Sequence, residues 1–428
     1  MKHIIFLLLI LLVLSFNTFS QEHPGFKVEG RYLYDKCGEK VILRGINNPN
    51  IWFERNGNPR YAEIKKTGAN VVRIVWATNG TASQLDQAIS NCIAQQMIPM
   101  PELHDATGDL NKIQTCVNYW IRPDVVSVLK KHEEYLLINI ANEPGVWEVT
   151  ETQFYNAYLS AVTQMRNAGI HVPLIIDGSD WGKNINIMQA KGPALINADP
   201  DKNLMFSVHM WWPLMYGFSE NDIVTEIAQS VDMELPIIVG EFSQMHGSCD
   251  EKNITATNAI AYKTIIRECQ KNDVGYIAWS WFGNCNPFWD MSSAGTYATL
   301  YGWGLEVAVT DTNSIRNTSV RPYYIVNRAC KSTGFADIQI SSNELSLANY
   351  PNAFQSSTLI SYRLINNSFV KVEILNNLGI KIETLVNEFQ TSGKKQITFN
   401  GSNLTAGIYF CKLVADGKIE IQKMILVK

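Results

Sequence analysis

The stretch Tyr135–Glu143, YLLINIANE, decides the fold. It is a nearly continuous apolar run that closes on an amide and an acid. A run of this length, without a polar alternation, reads as a β-strand buried on both faces, as in a parallel sheet. A carboxylate at the end of such a strand is costly unless partners or a task retain it there. Pro236–Glu241, PIIVGE, repeats the pattern. Outward from these two, eight such runs can be counted: Val41–Asn47, Asn70–Trp76, Met97–His104, Tyr135–Glu143, Pro173–Gly178, Leu204–His209, Pro236–Glu241 and Gly275–Trp281. Amphipathic segments separate them, such as Thr152–Asn167, where Phe154, Tyr158, Val162 and Met165 recur at helical spacing. Strand and helix alternating eight times predict an α/β fold, a (β/α)8 TIM barrel. The rival, a doubly wound open sheet, would carry a Gly-rich phosphate loop after its first strand, and none is present.

Barrel enzymes gather their chemistry at the C-terminal ends of the strands. Those ends carry Asn47, Arg73, His104 with Asp105, Asn142 with Glu143, Asp177, His209, Glu241, and Trp279 with Trp281. Cleaving a glycosidic bond with retention needs a carboxylic acid and a nucleophilic carboxylate held roughly 5–5.5 Å apart. Glu143 and Glu241, three βα units apart, are the expected catalytic pair; the bland alternative is that each pairs structurally with a cation. Arg73 is expected to keep the nucleophile ionised, Asn142 to donate to a sugar hydroxyl, and His104 and His209 to bond the carboxylates or the sugar. Trp279 and Trp281 alternate by two and so face one side of their strand, where one would form a stacking floor. Trp211 and Trp212 would add stacking positions or simply pack. His104, Asp105 and His209 could be imagined as metal ligands, but no His-x-His or His-Glu-x-x-His spacing supports them. No cofactor and no metal are expected.

The 428 residues allow one large domain and one small one. A net charge of −4 gives no electrostatic reason to expect nucleic acid, and eleven Trp suit a neutral sugar polymer. Residues 1–20 begin with Lys2, run apolar from Ile4 to Leu14, and read as a signal peptide, since the run is short of the ~20 residues of a membrane span. No other stretch is long enough to span. All eight Cys follow the cleavage point, where disulfides are permitted, and Cys249 and Cys285 follow two strands on one side and could bridge active-site loops. The barrel is expected over 21–330, a Ser-, Gly- and Asp-rich linker over 331–344, and a small all-β sandwich over 345–428. A monomer is the default.

Taken in order, Arg44–Asn47, Val71–Arg73, PELHDATG at 101–108, NIANEP at 139–144, FSVHM at 206–210, IVGEF at 238–242 and AWSWFGN at 278–284 resemble glycoside hydrolase family five. The resemblance implies Glu143 as acid/base, Glu241 as nucleophile, and Arg73, Asn142, His104, His209 and Trp279 around the substrate. The His-Asp-Ala-Thr-Gly loop, Asn197–Pro200 and the Trp-Ser-Trp ending look like bacterial endo-β-1,4-mannanases. Those enzymes usually place Tyr two residues after the histidine of strand six, bonding the nucleophile. Here that position is Trp211, with Tyr216 as a candidate substitute from the loop. Pro144 after Glu143 is common among the family's cellulases, so a cellulase or mixed-linkage glucanase is the second expectation. A non-catalytic glycan-binding barrel is a third, from another class.

The tail, with Asn349–Phe354, Asn377–Gly379 and Ala406–Phe410, resembles the C-terminal sorting domain of the type IX secretion system. That implies contact with secretion machinery and a secreted or surface-attached enzyme. A carbohydrate-binding module is the rival reading, but the tail contains no Trp.

Overall fold

The computed structural model describes residues 24–330, 345–415 and 417–428, so the expected signal peptide and linker lie outside the described residues. The chain divides into two compact units between Lys331 and Ser332.

The first unit opens with three short antiparallel strands, β1 (Lys27–Glu29), β2 (Tyr32–Tyr34) and β3 (Lys40–Val41). Eight parallel strands then close a barrel: β4 (Arg44–Asn48), β5 (Val71–Trp76), β6 (Ile98–Leu103), β7 (Ile138–Asn139), β8 (Leu174–Asp177), β9 (Leu204–His209), β10 (Ile237–Glu241) and β11 (Gly275–Ala278). Each pairs with its neighbours in chain order, and β11 returns to β4 through Tyr276 opposite Arg44. Val41 belongs to the small entry sheet and not to the first barrel strand. The fourth strand is shorter than its apolar run, because the chain leaves the ladder after Asn139 and turns into Glu143 with φ +45°.

The period of two along each strand sorts its side chains into an outer and an inner set. Val72, Ile74 and Trp76 of β5 face outward into the main core with the helices. Among those helices is Glu151–Asn167, started by a capping box between Thr150 and Gln153 and burying Phe154, Tyr158, Val162 and Met165 as the spacing predicted. The inner set begins at the entry end with an apolar layer that includes Val71, Ile98, Met100, Leu137, Ile175, Met205, Ile238 and Ile277, sealed by Phe26 and Leu33. Two residues further along the same strands the layer is polar: Arg73, Glu102, Asn139, Asp177 and Ser207, all buried. The apolar layer thus closes the barrel floor, and the polar layer directly above it supports the catalytic end. Cys37 and Cys330 form a disulfide that ties the entry sheet to the last turn of this unit.

The second unit holds a three-stranded antiparallel sheet, β12 (Ser346–Tyr350), β13 (Ser357–Leu364) and β16 (Gly393–Asn400), and a four-stranded one, β14 (Ser368–Asn376), β15 (Lys381–Gln390), β17 (Gly407–Ala415) and β18 (Lys418–Leu426). Ile360, Tyr362, Phe399, Val370, Val372, Cys411 and Leu413 form its core between the sheets. Residues 376–379 form a turn, with the Asn376 side chain accepting from the backbone of Leu378 and Ile380, and Gly379 at φ +76°.

Candidate active site

Arg73 organises the catalytic end. Its guanidinium is fully buried and spends its donors on five acceptors: Nε to Asn139 at 2.8 Å, Nη1 to Asn47 at 3.0 Å and to Glu241 Oε1 at 2.7 Å, and Nη2 to Asn142 at 2.8 Å and to Asp177 at 3.4 Å. A planar fork with five N–H groups suits such a lattice, which a lysine ammonium would not reproduce. The second oxygen of Glu241 accepts from the indole N–H of Trp211 at 3.2 Å. The position usually filled by Tyr is therefore answered by Trp211 itself. Tyr216 is half exposed and packs edge-on against His246 at 4.9 Å.

Glu143 lies across the mouth. Its backbone N–H donates to Asp177 at 3.1 Å and its carbonyl accepts from Gly108 at 2.9 Å, which fixes the left-handed turn that aims its side chain. Oε1 accepts from His209 Nδ1 at 2.8 Å, and the same nitrogen is 3.6 Å from Glu241 Oε2. One oxygen of each glutamate and one nitrogen of His209 fall within 4.8 Å of one another. The His209 ring fits between Gly182 and Gly240: a Cβ on Gly182 would come within 2.6 Å of its ring carbon, and one on Gly240 within 3.1 Å of Nε2.

These charges shift one another. Burial works against a charged His209, but Glu241, Asp177 and Glu143 outweigh it and raise the imidazole to about 9. Burial raises the Glu241 carboxyl to about 7, with Glu143 adding to it and His209 and Arg73 opposing it. Burial also penalises the charged form of Glu143, yet the His209 hydrogen bond and the surrounding cations hold it below the usual carboxylate range. The glutamates titrate as a pair that keeps one proton until near neutrality. Burial likewise opposes protonation of His104, and Glu102, bonded to Nδ1 at 2.9 Å, reverses that and raises it.

Above this floor is a cleft of about 690 Å³ that both glutamates line, with His104, Trp211 and Trp279. Trp279 stacks on His104 with centroids 5.6 Å apart. Trp281, expected beside it, is not in the cleft: it is fully buried and its indole donates to the Gly295 carbonyl. The ladder ends at Ala278, so the alternation that would have put both rings on one side no longer applies. Arg73, Asn142 and His209 do not line the cleft either. They are fully enclosed beneath it because the polar layer packs them against one another, and the Asn142 amide bridges Arg73 and Thr107 rather than facing the cavity. Trp212 is core, stacked on Phe218 at 4.8 Å. Sequence reasoning passed over Glu102, two residues before His104 on the inward side of β6, and Trp181, Lys183 and Trp289 of the cleft wall. Inward periodicity would have found Glu102; the wall residues sit on irregular loops with no pattern to reveal them. The Cys249–Cys285 disulfide joins the loops after β10 and β11, as the strand order allowed.

Residues 34–284 match the family model described as cellulase (glycosyl hydrolase family 5). The chain belongs to glycosyl hydrolase family 5. It is 34% identical over 311 residues to a mannan endo-1,4-beta-mannosidase of Cellvibrio japonicus, covering 69% of this chain and 68% of that protein. It is 31% identical to one from Salipaludibacillus agaradhaerens, covering 69% and 94%. A solved beta-mannanase of Thermomonospora fusca in complex with mannotriose aligns with a TM-score of 0.62 at 29% identity, over 70% of this chain and 99% of that one. This family 5 glycoside hydrolase also carries, at residues 348–428, a match to the secretion system C-terminal sorting domain, which makes it a secreted or surface-held enzyme. Among the described residues no helix is long and apolar enough to cross a membrane.

Proposed function

We propose that the barrel is a retaining endo-β-1,4-mannanase that acts on β-mannan or glucomannan, with Glu241 as nucleophile and Glu143 as acid/base. The observation that carries the mechanism is the approach of the two carboxylates, with an oxygen of each within 4.8 Å. So close an approach favours direct attack over an inverting arrangement, whose carboxyl groups stand about 6.5–9.5 Å apart with a water between them. Roles follow from the partners. Arg73 and Trp211 are donors with no acceptor capacity, so both bonds to Glu241 favour its ionised form. His209 Nδ1 likewise favours a charged Glu143, so the pair's one proton is shared between the carboxylates; the reactive form is the one with Glu241 ionised and the proton on Glu143, which faces the cleft and can deliver it to the leaving oxygen. Attack by Glu241 on the anomeric carbon forms a glycosyl ester as the leaving alcohol takes that proton. Glu143, now a base, deprotonates a water that attacks the ester and restores both groups. Trp279, stacked on His104 and anchored through its indole to Asn284 at 3.1 Å, presents a fixed ring to the sugar.

Mannan as substrate is supported by the relatives, several of which are mannan endo-1,4-beta-mannosidases. A glucan-cleaving reading has one observation in its favour: a further relative, from Caldicellulosiruptor saccharolyticus, is a beta-mannanase/endoglucanase A, 30% identical over 56% of this chain and 18% of that protein. Reducing-sugar release from β-mannan, glucomannan, carboxymethylcellulose and mixed-linkage β-glucan separates the two. The proposal expects the greatest rate on the mannans and none from Glu241→Ala; activity on glucans alone would replace it with the cellulase reading, and silence on all four would favour the non-catalytic barrel.

A further inference from the structure

One buried acid of the polar layer has a position that the two-glutamate mechanism does not use. Asp177 ends β8 with no exposed surface. Its Oδ1 accepts from Asn139 Nδ2 at 2.8 Å. Its Oδ2 accepts from the backbone N–H of Glu143 at 3.1 Å, and lies 3.4 Å from Arg73 Nη2 and 3.4 Å from His209 Nε2. His209 Nε2 has no hydrogen-bond partner of good geometry among the described residues, so Asp177 is the acid that faces that side of the ring. The main chain that carries this side chain is held as well, where the Tyr158 hydroxyl donates to the backbone carbonyl of Asp177 at 3.1 Å.

We propose that Asp177 is a positioning residue of the hydrolysis, one carboxylate that sets the backbone of Glu143, the guanidinium that grips Glu241, and the imidazole between the two glutamates. The proposal rests on the assignment of Glu143 and Glu241 given above. Three elements of one transition state meet at a single side chain, and each depends on it differently. Glu143 adopts its left-handed backbone, φ +45°, while its N–H is tied to Asp177. Displacement of a reacting group by about 1 Å costs on the order of 10²-fold in rate, so small movements here are expensive. Arg73 is the group through which Asp177 reaches the nucleophile. His209 is faced by Glu143, Glu241 and Asp177 as acids, with Arg73 and His104 as the nearby cations; Asp177 stands on the Nε2 side and the glutamates on the Nδ1 side. All four groups that meet Asp177 are donors, a demand that a carboxylate meets and an amide, which brings two N–H of its own, does not.

The test is Asp177→Asn in the full chain, with kcat and KM on β-mannan and the titration of the His209 imidazole followed by NMR. The expected result is a kcat lower by about 10²-fold with KM within about twofold, and a His209 titration moved at least about one pH unit lower through loss of the facing charge. A folded variant whose kcat stays within about threefold of the parent overturns the proposal, and so does a lowered kcat with the His209 titration unmoved, since that is the signature of a purely structural residue. If Asp177→Asn does not fold, Asn139→Ala, which removes the donor orienting the Asp177 carboxylate, serves instead; because Asn139 also accepts from Arg73 Nε, a kcat lower by at least about tenfold together with a shifted His209 titration supports the proposal, and an unchanged kcat or an unmoved titration overturns it. Glu241→Ala run beside them keeps the two claims apart, because activity surviving in that variant refutes the catalytic assignment and not the part played by Asp177.

Discussion

Trp211 donates its indole N–H to Glu241 Oε2 at 3.2 Å, on the side of the carboxylate opposite Arg73. The ring is backed by Trp289 and His246 at 6.0 and 6.4 Å, on the two loops that the Cys249–Cys285 disulfide joins. An aromatic donor at this position holds the nucleophile without being able to ionise or accept, so the bond persists at alkaline pH where a phenol would be lost.

Trp211→Phe keeps the packing and removes the N–H. A hydrogen bond to a charged group contributes roughly 1.5–3 kcal/mol, so kcat on mannan should fall by about 10–100-fold. Steady-state kinetics with a thermal melt as a folding control check this, and a parental kcat would show that Arg73 alone positions Glu241.

Glu143→Ala separates the roles of the glutamates. General acid catalysis supplies typically 10²–10⁴-fold, so hydrolysis of mannan should drop by about that factor. The burst that reports glycosyl-ester formation from an activated aryl mannoside should survive, because a phenolate with a low pKa leaves without protonation. Equal losses on both substrates would argue against the acid/base role.

The dependence of kcat/KM on pH reports the free enzyme's pair. The productive form carries one proton on the two glutamates. The pair loses that shared proton in its upper step, which follows the raised Glu241 carboxyl at about 7, so activity declines as pH rises through about 7. Glu143 is held below the usual carboxylate range, so the acid limb, where both groups become protonated, should lie below that of an ordinary glutamate. A profile flat from acid pH to well above 8 would contradict the shared proton.

Much of this was legible beforehand because the signals were periodic. Eight buried runs gave the barrel, and the strand-end rule brought Arg73, Glu143, His209 and Glu241 to one mouth. What failed lay where periodicity stops: Trp281 follows the last ladder residue, Ala278, and turns into the core, while Trp181 and Trp289 stand on loops. Depth was a second blind spot. Sequence placed Asn142 and His209 at the correct end of the barrel but did not reveal that they lie beneath the cleft floor, since that depends on which neighbours saturate their polar atoms.

The Cys37–Cys330 bond closes a loop that spans 293 residues. Disulfides stabilise by roughly 2–4 kcal/mol, with long loops toward the upper end, so Cys37→Ser should lower the denaturation midpoint of the barrel while leaving kcat unchanged, the bond being at the entry sheet. Equilibrium unfolding monitored by Trp fluorescence checks it; an unchanged midpoint would mean that packing alone secures the entry sheet.

The glycosyl ester on Glu241 can be trapped directly. A 2-deoxy-2-fluoro mannosyl donor with a good leaving group slows both steps, the second more, and the adduct can be located by peptide mass spectrometry. A single sugar adduct on the peptide that contains Glu241 is expected; an adduct on the Glu143 peptide, or turnover of the donor with no adduct at all, would contradict the nucleophilic role of Glu241.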